Sequence, residues 1–221
     1  MAENKSPQLA EPGCPAIFLG NHTALDFLNS IASPVDVPIE WLGNGEAFIG
    51  WLQQAGIVPE DALSALTDKA GPGELDAVAS RARALREWFR GFVQKHRGER
   101  LSQAELEELE PVNGILSRDE RYGQITLGAN AQESLSPFIW VEKRRWQTSD
   151  AFLIPIAESM ARLVSEEDFT YVKACEGHVC SLLFLDTTRR RARRWCSMAI
   201  CGNRAKVAAF RMRGHQQVPP V

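Results

Sequence analysis

Four cysteines near the end of the chain form two pairs of equal spacing. Cys175 and Cys180 enclose four residues, Cys196 and Cys201 enclose four more, and fifteen residues separate the pairs. Four thiolates complete a tetrahedral shell around one zinc ion, and a shell with no open position is typical of a structural metal rather than a catalytic one. The spacing predicts one structural Zn²⁺ held by these cysteines, the alternative being four reduced thiols in a small core.

The segment around these cysteines is strongly basic. Residues 171–213 contain ten Lys/Arg and two acidic residues, a formal charge of +8. Because the whole chain carries −3 and residues 214–221 carry no charge, residues 1–170 carry −11. Four deprotonated cysteines and one Zn²⁺ would still leave about +6 on the basic segment. An acidic body joined to a basic segment predicts a polyanionic partner such as nucleic acid.

The candidate nucleic-acid contacts are an arginine run and the helix predicted after the last cysteine. They comprise Arg189, Arg190, Arg191, Arg193, Arg194, Asn203, Arg204, Lys206 and Arg211. Arginine matches phosphate oxygens bidentately, and Asn203 or Arg204 could contact bases. Since Arg204 and Lys206 point to different sides of a helix, we expect phosphate contacts from the run and one helix face. Six such contacts predict that log K falls with log salt at a slope of about −5.

Charge runs are also common on solvated surfaces. Some of these arginines could simply neutralise the negative zinc–thiolate cluster. Under this alternative, the arginine run binds no partner outside the chain.

The rest of the chain predicts an α+β fold. Apolar residues at steps of three and four predict helices, the strongest from Gly73 to about His96. Residues 122–127 and 138–141 predict an antiparallel strand pair with the long helices packed on one face. Around the cysteines, the predicted order is cysteine pair, hairpin (181–186 with 192–195), cysteine pair and helix, which is the order of a treble-clef zinc finger. The predicted fold is thus a mainly helical N-terminal domain with a small antiparallel sheet, followed by a C-terminal treble clef.

Two stretches resemble known families. The string from Asp186 to Lys206, with Cys201-Gly202-Asn203-Arg204 inside it, resembles the CGNR zinc-finger family, although Arg190 and Ala192 replace its usual Asn and Ser. The string from Ala24 to Ser30 resembles the opening of the ABATE domain, which commonly precedes this finger, with Ser30 in place of the usual Thr. The resemblance implies that the four cysteines are the zinc ligands and that the chain is a stress-induced transcription regulator.

These observations divide the chain into four predicted parts. They are a flexible arm (1–16), an ABATE-like α+β domain (17–168), the CGNR finger (169–213) and a tail (214–221). Within the second part, Asp26 and Asn29 would share a helix face and could line a small ligand pocket. We favour the alternative, hydrogen bonds that hold neighbouring loops, because one Asp and one Asn define no chemistry.

The leading functional hypothesis is a transcription regulator whose finger binds duplex DNA. Its acidic domain would sense a small-molecule signal or mediate assembly, and a homodimer is expected because one finger reads too few bases to specify a site. The alternative is an RNA-binding or protein-interaction zinc module. An enzyme is not expected, since the four histidines belong to no Ser/His/Asp set and no P-loop or coherent dinucleotide motif is present.

The start of the chain lacks the basic-then-apolar pattern of a secretory signal. No apolar run approaches the roughly 18 residues of a membrane-spanning helix. A cytoplasmic protein without a membrane partner is therefore expected.

Overall fold

The computed structural model describes residues 7–11, 14–33, 38–128 and 136–215, with the backbone alone for residue 209 and residues 212–215. The predicted arm, the predicted tail and the connection between the two predicted strands each lie partly outside these ranges. Their described portions are reported below.

Helices around one apolar core make up about half of residues 23–166. They are α1 (Thr23–Leu28), α2 (Gly45–Ala55), α3 (Glu60–Lys69), α4 (Glu74–His96), α5 (Glu110–Leu116) and α6 (Leu153–Glu166). The long helix predicted from Gly73 to His96 is confirmed as α4, whose buried Val78, Ala82 and Phe89 follow the predicted spacing. The core brings α1 and α2 together, since the ring of Phe27 meets that of Trp51 edge-on at 5.6 Å.

A small sheet of three short strands closes one side of this core. Its strands are β1 (Gln8–Leu9), β2 (Ile31–Ala32) and β3 (Ile39–Glu40), in the order β1-β3-β2. Strand β1 departs from the predicted flexible arm. Gln8 N donates to Pro38 O and Ala10 N donates to Glu40 O, each at 2.9 Å. Residues 8–10 are held because Pro38 and Glu40 offer these carbonyl groups to a parallel strand.

The predicted antiparallel pair is confirmed as β4 (Arg121–Leu127) and β5 (Phe138–Arg144), with Ile125 opposite Trp140. The prediction that long helices pack on one face is wrong, because both strands are mostly exposed along their length. The hairpin is attached at its base instead. There Arg144 pairs with Asp119 at 2.5 Å and with Glu158 of α6 at 2.9 Å, so the strands extend away from the helices beyond this anchor.

The C-terminal segment is a hairpin followed by a helix. Strands β6 (Val172–Ala174) and β7 (Leu183–Leu185) pair antiparallel, and α7 (Asn203–His215) follows a wide helical turn at Met198–Gly202. The predicted hairpin partner, residues 192–195, is not a strand. Arg193 N donates to the buried carboxylate of Asp186, seven residues earlier, rather than to a neighbouring strand. The first cysteine pair therefore lies in the connection between β6 and β7.

The core is continuous between the helices and this segment. Leu183, Phe184 and Leu185 are fully buried and belong to the same apolar cluster as the side chains of α1 and α6. Among the described helices, none combines the length and apolar character needed to cross a lipid bilayer.

Candidate metal centre and nucleic-acid interface

The four cysteines predicted from their spacing converge on one point. Their Sγ atoms all lie within 4.8 Å of one another. Cys196 Sγ lies 3.8 Å from Cys180 Sγ and 3.5 Å from Cys201 Sγ. A Zn–S bond of about 2.3 Å places the corners of a sulfur tetrahedron about 3.8 Å apart. The cluster fits one Zn²⁺, as the spacing predicts, and His178 next to it is exposed.

Packing four thiols together makes one of them ionise more readily and the ionisation of its neighbours less favourable. The hydrogen bond with Cys180, together with burial, raises the pKa of Cys196 far above its ordinary value, and burial raises the pKa of Cys201 to about 11. The same hydrogen bond lowers the pKa of Cys180 to about 5. A dication stabilises all four thiolates and displaces the remaining protons. In such a closed shell, zinc contributes folding energy and no catalytic chemistry.

The β6–β7 hairpin presents the first cysteine pair. Cys175 N donates to Leu182 O at 2.9 Å, which extends the ladder to the metal site. Gly177 N and Cys196 N donate to Cys175 Sγ at 3.4 and 3.3 Å, so backbone N–H groups stabilise a thiolate at that atom. A Cβ on Gly177 would lie 3.1 Å from Cys201 Sγ. A larger residue there would press on a ligand.

The second pair lies at the start of α7. Gly202 N donates to Ser197 O at 3.0 Å, which closes the wide turn around Cys201. A Cβ on Gly202 would lie 2.7 Å from Met198 Sδ and 3.6 Å from the ring of Trp195, so glycine allows this turn to pack tightly. The N-terminal end of a helix carries a partial positive charge that favours a thiolate.

Two known families account for most of the chain. Residues 21–167 match ABATE, described as "Putative stress-induced transcription regulator". The chain belongs to the ABATE family. Residues 171–214 match the CGNR zinc finger, which contains all four clustered cysteines. No curated protein matches the chain. The ABATE family is a family of transcription regulators, which implies that this protein is non-catalytic.

In this ABATE protein, Asp186 organises the arginine loop (residues 187–195). Its fully buried carboxylate accepts hydrogen bonds from Lys173 Nζ at 2.7 Å, Thr188 Oγ1 at 2.6 Å and Arg193 N at 2.8 Å. Burial raises the pKa of Asp186, but these hydrogen bonds outweigh burial and hold the pKa well below its ordinary 3.8. The sequence analysis missed this role. An Asp followed by two threonines at the end of an apolar strand is a turn-forming pattern. This pattern could have revealed that Asp186 organises the loop.

Two of the predicted nucleic-acid contacts hold this loop in place. Arg191 has a left-handed backbone (φ 49°), donates to Asp186 O, and lies with its guanidinium 4.3 Å from the ring centroid of Tyr171. Arg193 donates to Leu19 O at 3.1 Å and stacks over Phe184 at 4.1 Å. Arg193 therefore ties the CGNR finger to the backbone just before the residues that match ABATE.

Three other arginines of the loop face outward. Arg189 and Arg190 are exposed, and no hydrogen bond, ion pair or ring contact is described for them within residues 136–215. Arg194 is also exposed, but it pairs with Glu176 at 2.5 Å and lies over the ring of Trp195 at 5.0 Å. The loop thus presents Arg189 and Arg190 at the surface of the finger.

The outer face of α7 carries both charged and apolar side chains. Arg204, Lys206 and Arg211 are exposed, and so is Asn203, whose Nδ2 donates to Ala199 O at 3.2 Å. A shallow groove of about 560 Å³ is lined by Asn203, Arg204 and Arg211 together with Ile200, Val207 and two alanines. The predicted contact residues therefore lie on two elements, the arginine loop and α7.

Asp26 and Asn29 both bind backbone near the finger. Asn29 Nδ2 donates to Leu183 O at 2.8 Å, and its Oδ1 accepts from Leu183 N at 2.9 Å, so this side chain occupies the place of a further strand beside β7. Asp26 Oδ1 accepts from Gly20 N at 2.7 Å, and Gly20 O accepts from Leu185 N at 2.8 Å. Both side chains link α1 to the finger, whereas the ligand pocket stays a prediction.

The carboxyl group of Asp26 should make the stability of the protein depend on pH. Burial, against the opposing hydrogen bond from Gly20, raises the pKa of Asp26 from 3.8 to about 6. The stability that the protonated Asp26 carboxyl group contributes to the folded state is fully present below pH 3.8 and is lost as the pH rises through about 6. We expect Asp26→Asn, which keeps the acceptor for Gly20 N, to unfold at a higher denaturant concentration than the parent chain at pH 7.5.

The gain in the free energy of unfolding from Asp26→Asn should be no more than about 3 kcal/mol at pH 7.5 and should vanish near pH 4. Urea titrations at both pH values measure it. A matched Asp61→Asn change on the exposed side of α3 should leave the pH dependence unaltered. Equal stability of Asp26→Asn and the parent chain at pH 7.5 would contradict the assignment.

Proposed function

We propose that the CGNR finger binds duplex DNA through its phosphates and that the acidic ABATE domain senses a signal or mediates assembly. The observation that carries the proposal is the exposure of Arg189 and Arg190 without described partners, on a loop held rigid by buried Asp186 and by the cysteine cluster. A cation with no internal partner, on a rigid support, can bind a phosphate without first breaking an ion pair or ordering a loop.

The contact surface combines this loop with one face of α7. Arg204 and Arg211 line the same groove and therefore share a face. With Arg189 and Arg190 they supply four guanidinium groups for phosphates. Asn203 lies at the first position of α7, where a side chain can reach a base edge if the helix end approaches a groove. Lys206 lies off this face, and the proposal assigns it no contact.

The proposal gives Arg191 and Arg193 a positioning role rather than phosphate contacts. Arg191 supports the loop from Tyr171, and Arg193 joins it to Leu19. The charge of −11 on residues 1–170 repels DNA from the ABATE domain, so the finger alone faces the duplex.

The salt dependence of binding tests the proposal. Four phosphate contacts predict that log K for a mixed-sequence duplex falls with log salt at a slope of about −3.6 between roughly 50 and 200 mM salt. Arg189→Ala/Arg190→Ala should weaken binding about tenfold or more at low salt and reduce the slope by about two. Fluorescence anisotropy of a labelled duplex measures both quantities.

Arg118→Ala/Arg162→Ala is the matched control, because it removes the same charge from exposed positions of the ABATE domain. It should change neither affinity nor slope. If both double variants weaken binding equally, net charge rather than this surface governs the interaction. Tighter binding to single-stranded RNA than to the duplex would instead favour an RNA-binding finger.

A protein-interaction module is the second candidate, and one observation favours it. Ile200 and Val207 in the α7 groove are 44% and 49% exposed, and Phe210 is 74% exposed. Apolar side chains of this kind suit a protein partner better than a phosphate backbone. Absence of measurable binding to any nucleic acid at low salt would support this candidate.

A further inference from the structure

The β4–β5 hairpin presents an apolar surface that the proposed function does not use. Its register places Ile125 beside Trp140 and Leu127 beside Phe138, so all four side chains lie on one face of the hairpin. Their exposed fractions are 67%, 69%, 67% and 60% in that order. These four residues form the hairpin patch.

The patch is built as an ordered surface. A Cβ on Gly123 would overlap the indole ring of Trp140, so the ring lies flat across the neighbouring strand. At the base of the same face, Arg121 and Arg144 are both paired with Asp119, at 2.7 and 2.5 Å. On this face, exposed Glu142 lies between Trp140 and Arg144. The four patch residues are thus all apolar and have a charged rim at one end, which is the anatomy of a protein interface.

The hairpin requires a cover for its own stability. A two-stranded hairpin is marginally stable in water unless further strands or a helix pack on it. Within the described residues, both strands are mostly exposed and the firm attachment is the ion-paired base. Four apolar side chains at these exposures offer about 450 Å² of surface, within the range of patches that commonly serve a function.

We propose that the hairpin patch is the interface of a homodimer, in which the patches of two copies pack face to face about a two-fold axis. Two patches of this size bury about 900 Å², and contacts from their rims bring the total to the low end of specific interfaces, about 1,000 Å² or more. Since interfaces at the low end of this range are commonly weak and transient, we expect a reversible dimer that forms at micromolar concentrations. The two-fold axis also makes the patch its own complement, since the same apolar surface meets itself.

Other occupants fit the patch less well. A nucleic acid would need cations, and the four patch residues carry none. Insertion of the hairpin into a lipid surface would carry its connection into the bilayer, and residues 128–137 include Asn130, Gln132 and Glu133. A dimer also gives the protein two fingers, as recognition of a DNA site requires, but its formation does not depend on DNA binding.

Sedimentation equilibrium of the full zinc-loaded chain without DNA tests the proposal, over roughly 1 to 100 µM. The parent chain should change from monomer to dimer across this range. Phe138→Glu should weaken the association at least tenfold, because it places two carboxylates in one interface. Ile139→Glu is the matched control, since Ile139 is the next residue on the same strand, 46% exposed on the opposite face, and it should leave the association unchanged.

Leu127→Lys is the second variant and should weaken the association as Phe138→Glu does. Thermal melting by circular dichroism checks that each variant folds. A parent chain that stays monomeric at the highest concentration overturns the proposal, and so does a dimer that Phe138→Glu and Leu127→Lys both leave intact. A monomer that sediments with anionic phospholipid vesicles would identify a lipid surface as the occupant instead. Because no DNA is present, these outcomes do not bear on the DNA-binding proposal.

Discussion

Removal of zinc with a chelator is expected to unfold the finger and to lower the melting temperature of the whole chain. The buried apolar side chains of β6 and β7 belong to the core shared with the helices. The residues after β7 depend instead on the cysteine cluster, and structural zinc contributes about 10 kcal/mol or more to the folding of small modules. The loss of stability should spread beyond the finger, because Asn29 holds Leu183 by two hydrogen bonds and Arg193 donates to Leu19. Loss of the finger removes these partners from the ABATE domain.

Three measurements check this prediction. Elemental analysis should find one zinc per chain, circular dichroism should show a lower melting temperature after chelation, and hydrogen exchange should rise first in residues 172–203. Cys196→Ser should reproduce the effect of chelation, because Cys196 is 3% exposed within the cluster. Cys14→Ser is the matched control, since Cys14 lies outside the cluster and should retain zinc and stability. A Cys196→Ser chain with a full zinc content and an unchanged melting temperature would falsify the metal assignment.

The second large effect is expected at a buried ion pair inside the ABATE domain. Arg86 of α4 is 2% exposed and binds both carboxylate oxygens of Glu40, at 2.7 and 2.6 Å. It also donates to Ser30 Oγ at 3.0 Å, which ties β3 to the residues after α1. Arg86→Leu would leave the Glu40 carboxylate buried without its cation. We expect it to lower the free energy of unfolding by about 3–5 kcal/mol.

Urea denaturation measures the loss. Arg81→Leu is the control on the same helix, because Arg81 pairs with Asp150 at the surface, where the two side chains are 48% and 44% exposed. Arg81→Leu should lower the free energy of unfolding by no more than the contribution of a surface ion pair, about 1 kcal/mol at most. The double variant Arg86→Leu/Glu40→Gln should recover part of the loss, because it removes the uncompensated charge. Equal losses from Arg86→Leu and Arg81→Leu would contradict the buried-pair account.

These two predictions concern different parts of one continuous core. Zinc organises the finger, whereas the Arg86–Glu40 pair connects the long helix to the small sheet beside α1. Because α1 contacts both regions, a variant in either part can alter the other. Hydrogen exchange separates the two effects, since each variant should first increase exchange in its own region.

Local patterns in the sequence determined the metal site, the main helices and the family. Cysteine spacing alone predicts a four-thiolate cluster, because a tetrahedral shell needs only four ligands brought together by short turns. Apolar periodicity predicts α4 for a similar reason, since residues three or four apart lie on one helix face whatever the fold. The acidic body and basic finger likewise follow from composition.

Only the tertiary structure decided which groups become partners across the chain. It paired β7 with β6 instead of residues 192–195, because buried Asp186 takes the backbone N–H of Arg193. It bound Arg191 and Arg193 to groups within the fold and left Arg189 and Arg190 exposed without a described partner, although all four lie within five residues of sequence. It also exposed the apolar hairpin that the sequence placed against helices. Each outcome depends on contacts between distant residues, and the spacing of residue types does not encode which of several equivalent side chains will make them.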